Sequence, residues 1–206
     1  MKDKNQSNWE VCVDCTLKGK RVVVGRGNPE ADIWFVGEAP GEQEEATGKP
    51  FVGSAGKILQ ETIDKIGLEE GSYYVTNIVR CRPTDSRGKN RPPTDDEKSK
   101  CSDLLIEDMD KYKPRFIVTL GAHATKDLVS DEETMMNLAG NLIEDKDWVL
   151  LGEQGRWYYP MIHPAATLYN PSLRTRWELD SIKLREAIDR FIVNKLMGGR
   201  EPADDE

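Results

Sequence analysis

No apolar run in this chain approaches the ~18–20 residues needed for a membrane-crossing helix, so no membrane association is expected. The opening residues, MKDKNQSNWEVCVDC, lack the apolar stretch of a secretory signal, and a cytoplasmic location is the expectation. Positive charge is in deficit: 29 Lys and Arg face 37 Asp and Glu, a formal net charge of −8. That balance argues at first against nucleic acid, whose phosphates need local cations. There are 2 histidines and 4 cysteines, and no internal repeat is visible. With 206 residues, the chain can bury one good core but would be cramped as two domains.

The charge is unevenly placed. The tail EPADDE (201–206) holds four carboxylates, and 197–206 reads as a solvated, disordered end to a single domain spanning 1–196. RCRPTDSRGKNR (80–91) instead carries Arg80, Arg82, Arg87, Lys89 and Arg91 against the single Asp85. Such a loop suits a phosphate backbone, and an ordinary solvated loop is the plainer alternative.

The four cysteines are Cys12, Cys15, Cys81 and Cys101. A tight C-x2-C pair is joined by two later cysteines on either side of the basic, proline-rich loop. In a non-secreted chain such a set points to metal or redox chemistry more than to disulfides. Four thiolates hold zinc or an iron–sulfur cluster equally well, spacing alone does not choose, and plain buried thiols are the other alternative.

Strand-like runs alternate with helix-like ones. ADIWFVGEAPG (31–41), YYVTNIVRC (73–81), RFIVTLG (115–121) and WYYPMIHP (157–164) read as strands. Segments 54–67, 95–113, 121–129 and 177–196 read as helices, the first with Ile58, Leu59, Ile63 and Ile66 at helical spacing. This order implies an α/β fold with a mainly parallel sheet covered by helices. Ligands of such sheets bind at the carboxyl ends of the strands. GEAPG, Asn77 and HPAA all fall at those ends.

Glu38, just past the first strand, can hold a water or stabilise a developing cation. Ala39 lies beside it. Phe51 is held between Pro50 and Val52-Gly53, a suitable place for a stacking ring, although most Phe side chains go to packing. Gly53 and Gly56 allow backbone amides to approach a ligand. The TGKP fragment is not a phosphate-binding Walker loop, because its glycines are misspaced and Pro50 takes the Ser/Thr place. Asn77 offers donors and an acceptor on one plane, as needed to read a base edge. His163, before Pro164, can donate to an anionic leaving group, whereas His123 has no comparable partner and reads as structural.

Together, GEAPGEQEEATGKPFVGSAG (37–56), VTNIVRCRP (75–83) and HPAATLYNP (163–171) resemble the family 4, iron–sulfur uracil-DNA glycosylases. The likeness runs in order from about Cys12 to about residue 192, with all four cysteines in place. It implies a three-layer α/β/α sandwich around a four-stranded, mainly parallel sheet, with a [4Fe–4S] cluster on Cys12, Cys15, Cys81 and Cys101; zinc is the alternative. It further implies uracil-containing DNA as the substrate; a monomer is expected. By resemblance, Glu38 positions or activates water, Phe51 stacks on uracil, Asn77 bonds its pairing edge and His163 donates to O2 of the departing base. Ala39 and Gly53 border the same pocket. Arg82, Arg87, Lys89 and Arg91, with Arg174 and Arg176, become candidates for phosphates. Leu168 becomes a candidate wedge into the base stack.

This chain departs from the family pattern at two points. Tyr169 stands where relatives carry a basic residue, and Ala39 where some carry glycine. Two rival functions remain: a non-catalytic four-cysteine nucleic-acid module, and a relative that traps uracil-DNA covalently. The latter uses an extra histidine near the basic segment, and residues 82–100 contain none.

Overall fold

The computed structural model describes residues 14–130, 132–145 and 155–197. Cys12 and the acidic tail beyond Met197 lie outside the described residues. The strands are β1 (Gly25–Gly27), β2 (Ile33–Gly37), β3 (Tyr73–Asn77), β4 (Phe116–Leu120), β5 (Ile143–Asp145) and β6 (Arg156–Met161). The helices are α1 (Glu42–Thr47), α2 (Ser54–Lys65), α3 (Asp95–Tyr112), α4 (Ala122–Leu128), α5 (Met135–Leu138) and α6 (Pro171–Leu196). A 3-10 turn, Pro164–Leu168, precedes α6.

The sheet has six strands in the order β1-β3-β2-β4-β6-β5. Its middle four are mutually parallel, and the two edges run antiparallel. The four-stranded expectation is thereby corrected. The missed edges are three-residue strands, GRG and IED, without the apolar content that betrays a buried strand. They are defined by backbone pairing, which composition does not announce. The middle strands IWFVG, YYVTN and FIVTL are buried along their whole length, as a parallel sheet covered on both faces requires.

Alternation along the strands divides the core in two. Ile33, Phe35, Tyr73, Val75, Phe116 and Val118 pack against Leu59 and Ile63 of α2 and Trp177, Leu184 and Ile188 of α6. On the other face Trp34, Val36, Tyr74 and Ile117 pack against Leu105 and Met109 of α3. Cys15, Cys81 and Cys101 belong to this second cluster. The result is helices on both faces of one sheet. No helix among the described residues is long and apolar enough to cross a membrane.

Two element boundaries differ from expectation. β3 ends at Asn77 because the Ile78 and Val79 amides turn to bond the carbonyls of Gly37 and Glu38, each at 2.9 Å. Helix α6 begins at Pro171, well before residue 177, with Asn170 capping the Ser172 amide at 3.0 Å and proline at a position where no donor is needed.

Candidate active site

The chain leaves β2 and β4, neighbouring strands, towards opposite sides of the sheet. Their carboxyl ends therefore open a crevice, the usual ligand position in such folds. Around it lies a cavity of about 740 Å³ lined by Glu38, Ala39, Phe51, Gly53, Asn77 and His163, with Glu44, Arg91 and Tyr169 at its walls. All residues expected for chemistry and base recognition thus meet in one place. Arg82, Arg87, Lys89 and Leu168 are not on this lining.

A glycine lets two of the lining side chains converge. Gly37 pairs with Asn77 across β2 and β3. A Cβ on Gly37 would sit 2.5 Å from both Asn77 Oδ1 and Phe51 Cζ. The buried amide and the ring edge therefore converge where only a hydrogen can stand.

Phe51 has φ of 53°, in the left-handed region that a residue with a Cβ adopts at a cost. Its surroundings impose that conformation. On one side a Cβ on Gly56 would lie 2.0 Å from the Phe51 carbonyl oxygen, so α2 can approach only through glycine. On the other, one oxygen of Glu44 accepts the Val52 and Gly53 amides at 2.9 and 2.8 Å. The second oxygen accepts the Gly41 amide at 3.1 Å. Glu44 thus fastens the Phe51 loop to the loop carrying Glu38. Sequence reading passed over it; the clue was an acid three residues after Gly41, the spacing of half a capping box.

His163 caps the 3-10 turn, its Nδ1 accepting the Ala165 amide at 3.2 Å. With Nδ1 an acceptor, the proton of the neutral ring is on Nε2. Burial lowers its pKa to about 4, against a smaller opposing pull from Glu44, so the ring is neutral at physiological pH. Its centroid lies 6.1 Å from that of Phe51.

Glu38 Oε1 is buried without a hydrogen-bond partner among the described residues. Such an atom costs stability, and proteins tend to retain one where chemistry uses it. Burial raises its pKa above the usual 4.5, more than the charges of His123 and Lys98 lower it, with Asp127 adding to the rise. His123 Nε2 lies 3.8 Å from Glu38 Oε1. The reading of His123 as partnerless is corrected: β4 ends beside β2, a neighbourhood that sequence distance conceals.

The basic loop is more inwardly committed than its composition suggests. Arg80 is buried, donating to the Val24 carbonyl and pairing with Asp108 at 2.9 Å. Arg82 bonds Asn90 at 2.6 Å, Glu45 at 3.1 Å and the Gly88 carbonyl at 3.2 Å. Arg91 grips buried Glu97 through two bonds of 2.7 and 2.6 Å. Asp85 folds the tip by accepting the Arg87 and Lys89 amides, each at 2.9 Å. Of the loop's cations only Arg87 and Lys89 are exposed, Arg87 in a loose ion pair with Asp85 at 3.6 Å. Beyond the loop, Arg176 is tied to Asp180 at 2.8 Å. Arg174 faces Glu178 at 3.5 Å.

Cys15, Cys81 and Cys101, from three separate segments, are each buried in the apolar cluster on the α3 face of the sheet. The Cys15 sulfur accepts the Leu17 amide at 3.5 Å. Among the described residues no group of three or more His, Cys, Asp or Glu is arranged to hold a metal ion, and Cys12 lies outside those residues. The residue types alone, three buried thiols with a fourth close in sequence to Cys15, are those of a soft-metal donor set.

Residues 24–184 match the family model of the uracil DNA glycosylase superfamily. The chain is 41% identical to a type-4 uracil-DNA glycosylase of Sulfurisphaera tokodaii, over 92% of this chain and 87% of the relative. It is 41% identical to that of Saccharolobus solfataricus over 86% and 82%, respectively. The corresponding protein of Archaeoglobus fulgidus is 38% identical over 85% and 87%.

Proposed function

Because the chain belongs to the type-4 branch of the uracil DNA glycosylase superfamily, we propose that it hydrolyses the N-glycosidic bond of extruded deoxyuridine in DNA. The products are free uracil and an abasic site, and the role is DNA repair. The observation that carries this reading is the meeting of Glu38, Phe51, Asn77 and His163 in one cavity at the strand ends.

Breaking the bond builds positive charge on the sugar and negative charge on the departing base. Groups that stabilise both accelerate the reaction, provided they are already in position. A base inside a duplex is out of reach, so the nucleotide must be turned out into the cavity. There Phe51 stacks on the ring and the Asn77 amide bonds its pairing edge, with Ala39 and Gly53 bordering it. The Nε2–H of neutral His163 donates to O2 as charge develops there. A neutral imidazole N–H is a very weak acid, so it stabilises the developing anion by a hydrogen bond while keeping its proton. The Glu38 carboxylate holds the attacking water and supports the sugar cation.

Cys12, Cys15, Cys81 and Cys101 would hold a [4Fe–4S] cluster, whose contribution is a cross-link between the N-terminal segment and the two ends of the basic loop. Arg87 and Lys89 are the loop cations best placed for phosphates. Arg82 and Arg91 shape the loop that presents them.

The test is incubation with a single-uracil oligonucleotide followed by alkaline cleavage. Strand scission is expected with the natural protein, and a loss of about 10²- to 10⁴-fold with Glu38→Gln or Asn77→Ala. No abasic product at any salt concentration would overturn the enzymatic reading, and an adduct surviving denaturation would favour the covalent-trapping alternative. For the cofactor, metal and sulfide analysis should give about four of each per chain; stoichiometric zinc would replace the cluster.

A further inference from the structure

Leu168 and Tyr169 are consecutive, yet they face different openings. The 3-10 turn that ends at Leu168 rotates the chain by about a third of a turn per residue, which separates neighbouring side chains widely. Leu168 lies in a groove of about 780 Å³ between α2 and α6, beside Ile58, Thr62 and Trp177. Tyr169 borders the active-site cavity with Glu38, Phe51, Asn77 and His163. Leu168 is 46% exposed and Tyr169 87%, the largest value for any bulky apolar side chain among the described residues.

The position of Tyr169 is set from both sides. Its amide donates to the Ala166 carbonyl at 3.4 Å. The preceding turn is capped by His163 through the Ala165 amide. The next residue, Asn170, caps α6. The ring therefore stands on an anchored backbone, joined through five residues to the donor His163, with its faces in water. An aromatic face held at the rim of the cavity is a surface on which nucleobases stack, largely without regard to sequence.

We propose that Tyr169, not Leu168, meets the base stack at the cavity mouth, stacking on the base exposed when the target nucleotide is extruded. The inference rests on reading the cavity as the site of the extruded uracil. Because the ring is uncharged, its contribution comes with little dependence on salt and applies to single strands as well as duplexes.

The experiment is fluorescence anisotropy with single- and double-stranded oligonucleotides containing a stable tetrahydrofuran abasic site, over a range of salt concentrations. Tyr169→Ala should bind about 10-fold more weakly, while Tyr169→Phe should match the natural protein. The slope of log affinity against log salt should be unchanged in Tyr169→Ala and steeper by about 0.9 in Tyr169→Arg. Circular dichroism checks that each variant is folded. Equal affinity of Tyr169→Ala, or a loss confined to Leu168→Ala, would overturn the inference. Uracil release by the natural protein distinguishes the two levels. If release occurs and Tyr169→Ala binds normally, stacking alone fails; if no release occurs, the cavity reading fails first.

Discussion

Arg91 and Glu97 form a two-bond ion pair of 2.7 and 2.6 Å in which the Glu97 side chain is wholly buried. The same carboxylate accepts the Thr94 amide at 2.8 Å and the Thr16 hydroxyl at 2.7 Å. One buried acid thus joins the residue after Cys15, the start of α3 and a wall of the active-site cavity.

Replacing Glu97 with Gln should destabilise the protein by about 2 kcal/mol at pH 7, less than the ~3–5 kcal/mol of a fully buried pair because Arg91 is partly exposed. Arg91 and the other hydrogen bonds hold the Glu97 pKa at about 2, below the ordinary 4.5. A depressed carboxylate contributes stability above its unfolded pKa and loses it as pH falls through the folded one. Urea denaturation should therefore show the gap between natural protein and Glu97→Gln narrowing from pH 4.5 towards 2. A constant gap would contradict this account.

Gly37→Ala should fold but lose activity. The added methyl would meet Asn77 Oδ1 and Phe51 Cζ at 2.5 Å, so one of them must move. Displacing a recognition group by about 1 Å costs roughly 100-fold in rate, while overpacking costs ~1–3 kcal/mol in stability. Single-turnover uracil release measured beside thermal unfolding separates the two effects.

The acid limb of kcat/KM should belong to Glu38. Its pKa is raised above 4.5 by burial, and the working form is the carboxylate, so activity falls as pH drops towards that raised value. His163, with a pKa of about 4, stays neutral and adds no inflection near 6.5. A profile from pH 5 to 9 in Glu38→Gln should be lower and flat on the acid side. An inflection near 6.5 that survives the substitution would count against the assignment.

Glu44 acts through Phe51 and not on the substrate. Glu44→Ala releases the Val52, Gly53 and Gly41 amides together and should lower kcat/KM by about 10- to 100-fold. Glu44→Gln keeps an acceptor for Val52 and Gly53 but sets an amide donor against Gly41, so it should restore part of the loss. Weaker quenching of a fluorescent uracil analogue by the mobile ring would report the loosening directly. If Ala and Gln variants match the natural protein, Glu44 is a surface acid.

Much of the fold was legible because the buried strands IWFVG, YYVTN and FIVTL are apolar throughout and the helices between them keep a helical period. The edge strands Gly25–Gly27 and Ile143–Asp145 were not, since they are held by main-chain bonds to β3 and β6. The principal site residues were legible for a related reason. Glu38 and His163 follow strands and Asn77 ends one, and parallel strands in one sheet bring their carboxyl ends together; Phe51 lies between two helices and was found through its motif. Glu44 and His123 were missed because their significance depends on what lies opposite them, and neither Val52 nor Glu38 advertises its neighbour. The basic loop misled in the other direction, since counting charges does not reveal that Arg80, Arg82 and Arg91 are spent on Asp108, Glu45 and Glu97.

The sequence by itself determined the alternation of strand and helix, the chemistry available at the strand ends and the presence of four thiols. These follow from local pattern and residue type. Tertiary structure alone decided that Gly37 leaves room for Asn77 and Phe51 to converge, that Glu44 clamps Phe51 in its left-handed backbone, and that Tyr169 rather than Leu168 faces the cavity. Those outcomes depend on register, packing and side-chain direction, which arise only when distant segments compete for the same space.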